Sequence, residues 1–378
     1  MRNNPFFLFL CVFIFSTSVF ADHAIWTGLG TNALWSNTDN WKDGVLPTSS
    51  DNVSYEKLND PFDWLNRQTA VVIDSQARCN NWCFFHYYHQ IMPFNDIQLL
   101  PGGDIVVSND GFIDQCSMYT GRYNQTGGSH TVNGDYAFTS YRGQFLMSDG
   151  NFTVNGKLQL NPDGGSVKIT GGILRANSLE IGSFGWASEI TISPQAQIHI
   201  TDEMIISFAN SNCRADIDTP LYMDGADFYN KICVESYLNL AKDWHMIFQD
   251  SSVQTMELEV ISGDWGKSYP SKDYFTLDIL QIGDQEPGNV MLVDTFDNFD
   301  DYYAPGIEAA YVDTLIITEG SILNLNGYNL YYNTLITHGD YHFLNGLPTQ
   351  IPEPTTMLLL SAGVLVLFRK KYSGNITS

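Results

Sequence analysis

Basic side chains are scarce in this sequence: 18 Lys and Arg face 42 Asp and Glu, a formal net charge of −24 in 378 residues. Setting aside Arg2, Arg369, Lys370 and Lys371 leaves 14 basic residues over 22–354. All 42 acidic residues lie there, so that stretch carries −28. A surface so acidic repels nucleic acid and anionic lipid headgroups. Its simplest use is solubility outside a cell, with divalent cations a secondary possibility because carboxylate oxygens suit Ca²⁺. The crowded stretch Asp294–Tyr303, DTFDNFDDYY, has no calcium-loop spacing, and no EF-hand loop is present.

Long hydrophobic runs are also missing. The charge-free apolar run Met357–Phe368 has twelve residues. As a helix it would be about 18 Å long, against a hydrocarbon core of about 30 Å. The other apolar run, Pro5–Phe15, follows Arg2 and precedes Ser16, Thr17 and Ser18. That order is a removable secretory signal, with Val19 and Ala21 as the small residues before the cut. Cleavage is expected between Ala21 and Asp22, and residues 1–21 form the signal peptide.

Recognisable catalytic and cofactor motifs are absent too. The chain has no G-x-S-x-G elbow, no H-E-x-x-H and no G-x-x-x-x-G-K-[ST] loop, and no cofactor is expected. The eight His are scattered; His130 and His199 fall on alternating segments, where packing or surface roles are expected. Cysteine is sparse and, after signal removal, odd: Cys79, Cys83, Cys116, Cys213 and Cys233. In an oxidising compartment at least one thiol stays free or pairs elsewhere. The stretch CNNWCFFHYYHQ (79–90) gathers Cys79, Cys83, His86 and His89, but its spacing is compressed for a zinc site. A disulfide-tied aromatic insertion, such as Cys83 to Cys116, is the reading preferred over a metal.

What the chain does have is a repeat. Gly121–Gly134 (GRYNQTGGSHTVNG), Gly143–Gly156 (GQFLMSDGNFTVNG) and Gly165–Ser178 (GSVKITGGILRANS) align without gaps at a spacing of 22 residues. Gly128, Gly150 and Gly172 coincide, as do Asn133, Asn155 and Asn177. Within each unit side chains alternate: Tyr123 with Gln125, Phe145 with Met147, Val167 with Ile169. Period-two runs punctuated by Gly and Asn are short strands joined by tight turns. About three strands per unit cannot bury an inner face alone, whereas stacking one coil on the next does. The predicted architecture is an all-β, right-handed parallel β-helix with irregular insertions, plus an N-terminal signal helix and a short C-terminal hydrophobic helix. An antiparallel sandwich is the rival, but it gives no reason for a gapless register.

The predicted organisation is a cap with an aromatic and Cys-rich insertion over 22–98, repeats over 99–209, further coils with insertions over 210–350, and a terminal segment over 351–378. Asn210–Cys233 reads as a polar break in the rhythm. Cys213 and Cys233, almost one coil apart, are expected to bond and close it as an inserted loop. Trp26, Trp35 and Trp41 cluster at the mature N-terminus. They are read as a cap on the first coil in preference to a sugar-stacking platform.

The tail supplies a resemblance. Ile351–Pro354 (IPEP), an apolar stretch and Arg369–Lys371 (RKK) resemble the PEP-CTERM sorting signal of exported bacterial proteins. Here YSGNITS trails the basic cluster, where members of the family usually stop sooner. The resemblance implies handling by an exosortase, recognition of Pro352, Glu353 and Pro354, and residence at a Gram-negative cell surface or in an exopolysaccharide matrix. The tail would contact the membrane transiently, as an anchor or strained transmembrane helix, with Arg369, Lys370 and Lys371 cytoplasmic. Residues Ile25–Val53 resemble the opening of autotransporter-type β-helical proteins, and YNQTGGSHTVNG their repeats. The expectation is a secreted, surface-sorted, non-enzymatic structural or biofilm-matrix protein. A polysaccharide-binding or polysaccharide-cleaving β-helix is the alternative.

Overall fold

The computed structural model describes residues 23–55, 70–85, 95–108, 111–114, 121–139, 143–161, 164–183, 188–208, 214–231, 244–257, 277–295 and 309–351. The expectations for Ala21, Asp22, the two hydrophobic ends, Cys116, Cys213, Cys233, His86 and His89 lie outside those residues.

Successive segments lie directly above one another, in parallel, along three faces of a β-solenoid. On the first face Ala70–Ile73 pairs with Asn95–Leu99, then residues 121–125, 144–147 and Ser166–Ile169 follow, ending at Glu189–Ile192 and Arg214–Ile217. On the second, Gln76–Cys79 leads through Asp104–Val107 to residues 129–132, 151–154 and onward to Asn329–Thr337. The third runs from His23–Trp26 to His342–Leu344. Every one of these strand pairs is parallel. Among the described residues the helical content is one 3-10 turn, Thr38–Asn40.

The register follows the repeat. Tyr123 stands opposite Phe145 and Phe145 opposite Val167, one repeat at each step; Val132, Val154 and Ala176 stack likewise. Alternation sends one set of side chains inward, so Tyr123, Phe145, Phe152, Val154, Val167 and Leu174 are buried. Tyr123 and Phe145 stack with centroids 4.9 Å apart and 17° between planes, close to the spacing of neighbouring strands. The Gly column has a steric cause. Gly150 has φ +93°, and a Cβ on it would lie 2.5 Å from the carbonyl oxygen of Gly128; one on Gly172 would lie 2.6 Å from that of Gly150. Only a residue without a side chain lets the turns nest.

The Asn column forms a ladder at the next corner. Asn155 Nδ2 donates to Asn133 Oδ1 at 3.0 Å, Asn177 Nδ2 donates to the Asn155 carbonyl, and Thr201 Oγ1 donates to Asn177 Oδ1 at 3.2 Å. Asn155→Ala removes the first of these at an exposed corner, and a loss of about 0.5–1.5 kcal/mol is expected. Urea denaturation checks it, and an unchanged midpoint would make the ladder decorative.

Beyond Ser178 the coil length varies. The steps from Ile169 to Ile192 and from Ile192 to Ile217 are each slightly longer than the repeat. Those from Met246 to Leu280 and from Leu280 to Leu315 are half as long again, and the step from Leu315 to Leu335 falls just short of it. One expectation needs correction. Within Asn210–Cys233, the segment read as a polar interruption, Arg214–Ile217, Pro220–Asp224 and Asp227–Asn230 are regular strands of a coil. Their acidic residues face outward, while Ala215, Ile217, Leu221, Met223 and Phe228 fill the interior. Average polarity hid an intact alternation.

A Trp cluster lies among the first described residues. Trp26, Trp35 and Trp41 are all buried and meet edge to face, Trp26 to Trp41 at 5.2 Å and Trp35 to Trp41 at 4.6 Å. Asn40 holds the loop that carries them. Its side chain donates to the carbonyls of Asn32 and Leu34 and accepts from Gly30 N–H, and Trp41 Nε1 donates to the Trp35 carbonyl at 3.1 Å. The rings pack into the core and present no face to a sugar.

Candidate functional site

The last described coil ends in a short strand, Thr349–Gln350, that pairs in parallel with Tyr331 and Tyr332. The N–H of Ile351 continues the ladder, donating to the Tyr332 carbonyl at 2.8 Å, and Gln350 Nε2 donates to the Asn333 carbonyl at 3.1 Å. Ile351 is 5% exposed and joins a small buried cluster with Ala309, Tyr311 and Tyr331, separate from the main core. The two Tyr rings stack at 5.0 Å and 19°. The next residue, Pro352, has no N–H with which to extend a ladder, and it disfavours helix at Ile351. Ile351, the last described residue, is therefore held at a fixed point with Pro-Glu-Pro next in the sequence.

Fold and terminus together define a class: a parallel β-solenoid whose last strand runs into a C-terminal sorting tail. The tail itself matches a known family. Residues 350–371 match the PEP-CTERM protein-sorting motif, which marks the chain for exosortase-dependent secretion and sorting to the bacterial cell envelope. The match includes Pro352, Glu353, Pro354, Arg369, Lys370 and Lys371, all outside the described residues, and begins on Gln350 in the last described strand. No curated protein and no solved structure matches the chain.

The remaining candidates separate cleanly. Cys79 is buried opposite Val107, and burial, reinforced by the Asp51 charge, pushes its thiol up to about 12. Such a thiol is neither a nucleophile nor a ready metal ligand. Cys83 falls in the strand Asn81–Phe85. No cluster of metal-ligating residues occurs among the described residues, and no described helix is long and apolar enough to cross a membrane. His130 lies in the interior, where Tyr123 Oη meets its Nδ1 at 3.0 Å. Burial drives its pKa down to about 3, although the Asp104 carboxylate pulls the other way.

His199 points outward from the second face and belongs to a group that the sequence did not reveal. Its Nδ1 lies 2.8 Å from Asp224 Oδ2, and Gln249 Nε2 donates to Asp224 Oδ1 at 2.6 Å. The imidazole stacks on Tyr222 at 4.7 Å and 10°. Burial, with the charges of Asp284 and Asp224, raises the Tyr222 pKa and keeps the hydroxyl a donor. The steps from His199 to Tyr222 and from Asp224 to Gln249 both exceed the repeat, and by different amounts. A search at the fixed spacing of the repeat passes over them.

Proposed function

We propose that this is a non-enzymatic structural protein of the cell surface or its matrix, including biofilm exopolysaccharide, in a Gram-negative bacterium. Its coils wind right-handed, the usual hand of parallel crossovers. Before processing, the apolar run Met357–Phe368 holds the precursor at the membrane with Arg369, Lys370 and Lys371 on the cytoplasmic side. An exosortase then reads Pro352, Glu353 and Pro354, and the acidic solenoid body is left outside.

The observation that carries this reading is the continuity of Thr349–Gln350 and Ile351 with the sorting motif. A rigid stack of coils is delivered by its last strand to the tail, and stacked coils act mechanically as a spacer. Deleting Pro352 to Pro354 should shift most of the protein out of the surface fraction into membrane-retained precursor, seen by fractionation and immunoblotting. An unchanged distribution would defeat the sorting role of these residues.

A further inference from the structure

The second face carries a strip of outward side chains at successive rungs, Arg175, then His199, then Tyr222, with the buried Ile247 at the next rung. Rungs recur at about 4.8 Å. Beside them runs Asp224, bonded to His199 and held on its other oxygen by Gln249 Nε2, while Gln249 Oε1 is buried. Because His199 and Tyr222 stack on each other at 10°, their faces are occupied and their polar edges form the outer rim. Ile247, 3% exposed, bounds the strip on the far side of Tyr222.

The chemistry narrows the ligand. Arg175 is the single cation of the strip, in a body of charge −28, so an anionic polymer is disfavoured. Among the described residues the exposed large apolar side chains, such as Leu29, Val253 and Leu347, are not part of the strip, so it is not an apolar docking face. What the strip offers is a line of fixed donors and acceptors, preorganised by the Asp224 pairings, at a spacing comparable to one sugar residue of an extended chain. Preorganised polar groups lose little entropy when they engage a partner.

We propose that Arg175, His199, Tyr222 and Asp224, the last positioned by Gln249, form a binding strip for a neutral polysaccharide laid along the solenoid axis. Asp224 accepts from sugar hydroxyls, the Tyr222 hydroxyl and Arg175 donate, and Ile247 closes one side. This goes beyond the sorting reading and does not rest on it, since the strip belongs to the solenoid body.

The test is affinity electrophoresis of the full chain in detergent, in native gels containing a neutral β-glucan, a neutral mannan or the anionic polymer alginate. Retardation by at least one neutral polymer and none by alginate is expected. Tyr222→Phe and Asp224→Ala should each weaken that retardation about tenfold, the effect of losing one well-placed hydrogen bond. Far-UV circular dichroism checks folding, and if Asp224→Ala is misfolded the isosteric Tyr222→Phe decides. Absence of retardation in both neutral gels, retardation by alginate, or retardation that survives Tyr222→Phe would overturn the proposal.

Discussion

Phe152→Ala is expected to destabilise the central coils by about 3–5 kcal/mol, the usual cost of deleting a fully buried aromatic ring. Phe152 is 0% exposed and sits between His130 on one coil and Leu174 on the next. Its ring meets His130 at 4.7 Å, Tyr136 at 5.2 Å, Phe145 at 5.3 Å and Tyr123 at 5.6 Å, all near edge-on. Aromatic pairs of this geometry contribute beyond their buried area. The neighbours are fixed by strand pairing on both sides, so the cavity cannot close by collapse. Each coil of a solenoid is supported by its neighbours, and the loss should spread along the axis. Hydrogen exchange should show weakened protection in Gly121–Val132, Gln144–Leu160 and Gly172–Ser183, together with a lowered urea midpoint. Protection equal to that of the parent protein would mean that the rings do not form one packed interior.

Acid is expected to weaken the fold well before the carboxylates titrate, and His130 is the reason. Its ordinary pKa of 6.5 falls to about 3 in the folded chain because burial opposes the charged ring. Between those values the unfolded chain binds the proton and the folded chain does not. Stability is therefore full above pH 6.5, declines as pH falls toward 3, and follows a slope of up to about 1.4 kcal/mol per pH unit. His245, also lowered by burial, adds in the same direction. Asp104 and Glu180 act lower down. Burial raises both, but Ser129 and Arg78 for Asp104, and Lys157, Gln159 and Asn161 for Glu180, outweigh it and depress them. Their stabilisation holds above their ordinary values of 3.8 and 4.5 and is lost as pH falls through the depressed ones.

The window from pH 6.5 to 5 thus reports on histidine. His130→Phe, which places on one coil the ring that Phe152 supplies on the next, should flatten the slope there by about 1 kcal/mol per pH unit. Tyr123 Oη retains Gln125 Oε1 as its acceptor at 2.9 Å, so the variant leaves no hydroxyl stranded. Denaturation midpoints at several pH values check this. Parallel profiles for variant and parent would show that His130 is not held neutral.

How much was legible from residues depended on whether coil length stayed constant. The three gapless, equally spaced units predicted that Val132 lies over Val154, and it does. Alternating side chains separated inside from outside even at Leu158 and Leu160, where a shift between Val154 and Lys157 shortens the next step. The Trp cluster was read as a cap in preference to a sugar-stacking platform, and its three rings are buried. The Asn210–Cys233 stretch was misjudged because its composition is polar, although its inward positions are not. The His199 strip was missed for a different reason: its members are aligned by coils of unequal length, each longer than the repeat.

The sequence by itself determined the repeat, the inward and outward faces, the acidic body and the sorting motif, because each is a local pattern of side-chain type and spacing. Only the tertiary structure decided which residues of unequal coils stand side by side, how the last strand docks before Pro352, and that His199, Tyr222, Asp224 and Gln249 meet. Stacking sums every insertion along the chain into a register, and only hydrogen-bonded strands reveal that sum.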